Sequence, residues 1–99
     1  MTTPFLPLPH STQSASVSDV AMSLSIVSIR DSAQLWVDNR GVSDLLIEFF
    51  DAPVDGNSFR VGARCSQPLT IPDSATHVYL KRPAGSAEGQ VFLTVGRGF

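Results

Sequence analysis

The chain has little of what usually announces chemistry. Its 99 residues include one cysteine (Cys65), one tryptophan (Trp36), one tyrosine (Tyr79) and two histidines (His10 and His77). A lone cysteine excludes an internal disulfide and has no zinc-ligand spacing around it. The expectation for Cys65 is a buried, inert thiol, which argues against a secreted, disulfide-stapled scaffold. Charged residues make up 16% of the chain and the net charge is −2, against a typical charged share of about 25%. Much of the surface must then be Ser, Thr, Gly and Pro, or be covered by another chain. No basic stripe is present, so neither a nucleic-acid nor a membrane partner is expected. Long apolar runs are absent too. The longest, Leu45-Leu46-Ile47, is broken by Glu48 and resumed by Phe49-Phe50, which is a strand's length and not a membrane span. The N-terminal stretch holds no Lys or Arg before Arg30, and prolines cut it, so it is not expected to be a signal peptide.

A chain of this size forms one domain at most. It buries roughly 60–65% of its unfolded surface, enough for a single core. The opening MTTPFLPLPHSTQ sets Pro4, Pro7 and Pro9 among Phe5, Leu6 and Leu8. Proline fixes φ and pushes the preceding residue to an extended conformation, so residues 1–14 are expected to form an extended, proline-stiffened arm. Residues 15–99 are then the folded domain.

That domain reads as strands and turns. In Ser16–Ser28, Met22, Leu24 and Ile26 alternate with Ser23, Ser25 and Val27, a period of two. A helix over Asp19–Ile29 is the alternative, disfavoured by its serines and β-branched residues. Arg30-Asp31-Ser32 reads as a turn. Gln34–Asp38 puts Leu35 and Val37 on one face and Trp36 on the other. Asp38-Asn39-Arg40-Gly41 has the composition of a tight turn. Leu45–Phe50 reads as a strand, Asp51–Asn57 as a loop with an Asp-Gly turn signal, and Phe59–Val61 as a strand ending at a bend on Gly62. Pro68-Leu69-Thr70-Ile71-Pro72 suits a sheet edge, because proline cannot donate to a ladder. Thr76–Arg82 turns Val78 and Leu80 inward and His77, Tyr79 and Lys81 outward. Val91–Val95 is the last strand and residues 96–99 a tail. About seven or eight short antiparallel strands with regular turn signals give an all-β fold, a single β-sandwich or a jelly roll.

Catalytic chemistry finds no framework. An enzyme needs a nucleophile, a base or a metal cluster within mutual reach. Nothing frames any of the serines as a nucleophile beside His77, and no Gly-x-Ser-x-Gly stretch exists. Asp31, Asp38, Asp44, Asp51, Asp55 and Asp73 fall mostly in or beside loops, where aspartate serves turns. Asp51, Asp55 and Asn57 lack the spacing of a calcium loop and its terminal Glu. Gly96-Arg97-Gly98 opens no helix and is no phosphate cradle. No catalytic residue, cofactor or metal is therefore expected. Trp36, Phe50, Tyr79 and Phe92 are read as outward aromatics, either half-covered by loops or forming a contact surface.

The progression Leu35-Trp36-Val37-Asp38-Asn39-Arg40-Gly41, Leu46-Ile47-Glu48-Phe49-Phe50-Asp51, Pro68-Leu69, Ala75-Thr76-His77-Val78 and Gln90-Val91-Phe92-Leu93-Thr94-Val95-Gly96-Arg97-Gly98-Phe99 resembles small tailed-phage virion structural proteins over roughly residues 14–99. It departs from them at Arg40, where proline is common, and at the Val95–Gly98 end. The resemblance implies a non-enzymatic capsid decoration or cement protein, on the capsid surface or neck of a virion assembled in the host cytoplasm. Its implied partners are the major capsid protein or other virion subunits, and copies of itself, in a trimer or lattice. Phe5, Leu6 and Leu8 would then dock in a neighbour's groove, each contributing about 1.5–3 kcal/mol before ordering costs, with Trp36 and Tyr79 contributing from a strand face. The rival expectation is a carbohydrate- or receptor-binding sandwich on a tail or neck appendage.

Overall fold

A computed structural model describes residues 6–8, 11–26 and 33–97. Phe5, His10, the turn at residues 30–32 and Phe99 lie outside the described residues. Nine strands follow in chain order: β1 (Leu6–Pro7), β2 (Gln13–Val17), β3 (Met22–Ser25), β4 (Ala33–Asn39), β5 (Leu45–Glu48), β6 (Phe59–Val61), β7 (Ser66–Thr70), β8 (His77–Lys81) and β9 (Gly89–Arg97). No helix occurs among the described residues, so the sandwich expectation holds and the helical alternative for Asp19–Ile29 fails over its described part, residues 19–26.

Every pairing is antiparallel. One sheet runs β2-β9-β4-β7, with β1 sharing the β9 edge with β2; the other runs β3-β8-β5-β6. Each sheet is thus four strands wide. The core between them is small and aliphatic. Leu35, Val37, Val91, Leu93 and Val95 from the first sheet meet Leu45, Ile47, Val61, Val78 and Leu80 from the second, all almost fully buried. The strict alternation of buried and half-buried residues in β4 and β8 is the period of two seen in the sequence. No aromatic side chain is fully buried among the described residues, though Phe49 packs partly against the core.

Three details differ from the sequence reading. The expected single segment Ser16–Ser28 is broken at residues 18–21, with β2 in one sheet and β3 in the other. The Arg82 backbone N–H holds the break by donating to the Ser18 carbonyl at 2.9 Å. The last strand extends to Arg97, because Gly96 is paired on both sides, to Gln34 of β4 and Pro7 of β1.

The expected boundary between residues 14 and 15 falls inside β2. Leu6–Pro7 and Gln13–Val17 both lie along β9, and between their register partners Gly96 and Leu93 only residues 94–95 of β9 intervene. Ser11 is anchored there. Its buried Oγ lies 2.7 Å from the Leu8 carbonyl and 3.0 Å from that of Val95, and it accepts the Val95 N–H at 3.2 Å. The described part of the arm is therefore the edge of the chain's own first sheet.

Candidate functional site

The outer face of the first sheet is assembled by register. Trp36 of β4 stands between Thr94 of β9 and Pro68 of β7; one row away, Asp38 stands between Phe92 and Ser66. Ser14 of β2 lies across from Phe92 on its other side. Pro68 has no N–H to donate, which fits its place on the edge strand β7. The charges here are few and paired. The Arg40 Nε donates to Asp38 Oδ2 at 2.8 Å, and the guanidinium lies 5.1 Å from the centre of the Phe92 ring, within cation–π range. Thr12 and Thr94 join their hydroxyls at 2.8 Å. Pro7, Thr12, Trp36 and Thr94 line a shallow hollow of about 400 Å³. This face is broad, aromatic at its centre and nearly neutral.

Tyr79 is not on it. Its register partners are Ser23 and Glu48, on the outer face of the second sheet, so Trp36 and Tyr79 occupy opposite sides of the sandwich and form no common surface. The Tyr79 ring centre lies 6.4 Å from that of His77. The loop at residues 49–58 folds back toward this side, because the Asp55 carboxylate bonds Lys81 Nζ and accepts the Ala84 N–H at 2.9 Å. The Lys81 hydrogen bond first, and the Ala84 N–H second, hold the Asp55 pKa below its usual value. Leu46 points outward by alternation with Leu45 and Ile47, yet it is fully buried. Phe50 stands in this loop and not on a strand, 62% exposed, with Val54 and Phe59 also open.

Of the arm residues singled out in the sequence, Leu6 pairs with Arg97 through the backbone. Leu8 is half-buried, and its N–H donates to Val95 at 2.8 Å. Cys65 is exposed, against the expectation of a buried thiol. The backbone is what the β6–β7 turn uses there: the Cys65 carbonyl accepts the Asn39 N–H at 2.9 Å and its N–H donates to Gly62.

The His77 ring lies 3.3 Å from Ser25 Oγ through Nε2 and 2.9 Å from Thr76 Oγ1 through Nδ1. Hydroxyls thus engage both nitrogens, and no carboxylate orients the ring among the described residues. No group of three metal-ligating side chains occurs among them either.

The most constrained polar cluster was not legible in the sequence. Arg82, just past β8, is fully buried with no carboxylate beside it. Its Nε donates to the Val17 carbonyl at 2.9 Å, its Nη1 to the Ser43 carbonyl at 2.7 Å, and its Nη2 to Asn39 Oδ1 at 3.1 Å. Asn39, also fully buried, accepts the Gly41 N–H on the same oxygen at 3.1 Å. Its Nδ2 lies 3.0, 3.2 and 3.0 Å from the carbonyls of Ser43, Val61 and Gly62. Burial pushes the Arg82 guanidinium below its usual pKa. Gly41 and Gly89 flank it so closely that a Cβ on Gly41 would lie 2.4 Å from Nη2. This clasp ties β2, β4, β6 and β8 together at one end of the sandwich. Every buried side-chain nitrogen and oxygen in it already has a hydrogen-bond partner, which suits a structural tie. The sequence signalled it only through Asn39 and Gly41 as turn residues. Comparison with protein-family models, with curated proteins and with solved structures returns no match.

Proposed function

We propose that this chain is a non-enzymatic structural protein of a phage virion, held to capsid or neck subunits through the outer face of its first sheet. The observation that carries the reading is that face: a wide, nearly neutral surface with Trp36 at its centre and Phe92 and Pro68 beside it. Interface cores are depleted in charge and enriched in aromatic residues. The strand orders β2-β9-β4-β7 and β3-β8-β5-β6 support the finer reading of a jelly roll, an architecture recurrent in viral capsids and also in lectins. The arm enters as a sheet edge that sets Pro7 beside the Trp36 hollow. Its described residues serve the chain's own fold first, and in this reading the arm is subordinate to Trp36 as a partner contact. Tyr79 lies on the opposite face and takes no part in this contact.

Carbohydrate binding is the second reading, favoured by the combination of an indole with the Thr12 and Thr94 hydroxyls in one hollow. One experiment separates the two. Purified chain is co-sedimented with capsid shells of its own particle that lack it, and in parallel applied to a glycan array. The structural reading expects rebinding to shells and a loss of about 2 kcal/mol, some thirtyfold, on Trp36→Ala. Retention by a glycan with no affinity for shells overturns it.

A further inference from the structure

The two sheets end, on one flank, in strands whose outer edges pair with nothing among the described residues: β2 is bonded only to β9, and β3 only to β8. Open edges are templates for another strand, and natural proteins blunt them with charge, proline or shortness. The opposite flank is blunted in this way. There β7 carries Pro68, and β6 is three residues long with Arg60 exposed on it. Within β2 and β3 themselves there is neither a charged residue nor a proline; Pro7 of β1 lies further along the same β9 edge. The β2–β3 flank reads Gln-Ser-Ala-Ser-Val and Met-Ser-Leu-Ser, and Asp19 is the only charged side chain before Arg30.

We infer that this flank is a two-fold interface between copies of this chain, in which β2 pairs antiparallel with β2 of the second copy and β3 with its β3, so that both sheets run continuously through the dimer. The geometry meets the conditions for a single axis. The Gln13 Nε2 donates to the Ser25 carbonyl at 2.7 Å, which sets the start of β2 over the end of β3. Counting two residues inward from that contact on each strand, to Ala15 and Ser23, gives the pair of positions through which the axis is placed. An axis normal to the sheets through that pair of positions makes both antiparallel pairings at once. Directly opposed residues then share a face, as an antiparallel ladder requires: Ser14 meets Ser16, Ala15 meets Ala15, and Met22 meets Leu24. Ser14 and Ser16 are exposed, while Ala15, Met22 and Leu24 are half-buried against the core. Small polar groups therefore meet on the outer side; on the inner side Ala15, Met22 and Leu24 are apolar, and Gln13, which meets Val17, has its amide engaged by the Ser25 carbonyl. No like charges are opposed, which is what a strand pairing with itself must avoid.

The inference does not rest on the virion reading; a dimer that never touches a capsid leaves it standing. The test is sedimentation equilibrium of the full chain and two double variants. Ser14→Lys with Ser16→Lys sets like charges across the axis. Ser14→Lys with Ser16→Glu sets opposite charges there. The wild type is expected to be a dimer, with the like-charge variant raising its dissociation constant about tenfold or more and the opposite-charge variant leaving it near the wild-type value. Hydrogen exchange of the unmodified chain gives a check that needs no substitution: amides of residues 13–17 and 22–25 should gain protection as concentration rises. A wild-type monomer or trimer overturns the inference. So does a dimer indifferent to the like-charge pair, one lost equally in both variants, or protection at those strands that ignores concentration.

Discussion

The substitution Asn39→Asp sets two physical accounts of the buried Arg82 against each other. By net charge alone it should stabilise, because it gives a buried guanidinium the carboxylate it lacks. By hydrogen-bond accounting it should destabilise. The present Oδ1 already accepts from Arg82 and Gly41, so an ionised group there strengthens contacts that exist, by about 1–2 kcal/mol. The other atom changes from a donor to an acceptor. It would face the Ser43, Val61 and Gly62 carbonyls at the 3.0, 3.2 and 3.0 Å now spanned by Nδ2. Two N–H donations are lost at about 1 kcal/mol each, and a buried oxygen confronting carbonyls adds roughly 1–3 kcal/mol more. The balance is a loss of about 2–3 kcal/mol, a large part of a stability of order 5–15 kcal/mol. For a domain of this size it corresponds to a fall in Tm of roughly 10–20 °C. Urea denaturation followed by far-ultraviolet circular dichroism reads this directly, and urea adds no salt to screen the charges. A variant as stable as the wild type, or more so, would refute the reasoning and show that the unpaired charge dominates the clasp.

Two further substitutions probe the same end of the sandwich and the loop beside it. Gly41→Ala drives a Cβ to 2.4 Å from Arg82 Nη2 and is expected to cost about 1–3 kcal/mol by overpacking; Gly56→Ala meets only its positive φ of 78° with open space around it, so a larger loss at Gly56 than at Gly41 in the same melts would count against the clasp. Asp55→Asn addresses acid stability: a carboxylate whose folded pKa is depressed adds stability above its unfolded pKa and gives it up as pH falls through the folded one, so the variant should show a weaker fall in Tm below about pH 4 than the wild type, and an unchanged acid limb would show that the Lys81 contact contributes nothing.

The strands were legible where alternation was clean. Leu35 and Val37 against Trp36, and Val78 and Leu80 against Tyr79, announced β4 and β8 and the direction of each side chain. Pro68 announced an edge. What failed was long-range. A period of two says which residues share a face of one strand, but not which sheet that strand joins, so Trp36 and Tyr79 read as neighbours when the core lies between them. Between β2 and β3 the inward parity shifts from odd (Ala15, Val17) to even (Met22, Leu24, Ile26), and reading Ser16–Ser28 as one segment passed over that shift; the Arg82 contact at Ser18, from the far end of the chain, sits at the break. Leu46 pointed outward as its parity required, yet is buried, on the side to which the Asp55–Lys81 bond returns the following loop. Arg82 carries no local signal at all. Its partners, at Val17, Asn39 and Ser43, come together only when four strands reach the same end of the sandwich.

The proposed dimer changes what the Trp36 face can do. An axis normal to the sheets leaves each copy the same way up, so both Trp36 faces lie on one side and both Tyr79 faces on the other. Two modest contacts then engage a repeating surface together, and the second binds at the effective concentration set by the first. Because the join runs through backbone pairing of two sheets, the spacing between the faces is fixed by the register at Ala15 and not by a flexible linker. Selection between partners would follow from that spacing: a surface with matching periodicity engages both faces, while an isolated subunit of the same chemistry engages one. Shell binding should therefore weaken more than binding to a single capsid subunit when Ser14→Lys and Ser16→Lys separate the copies. Equal losses would place the whole affinity in one face.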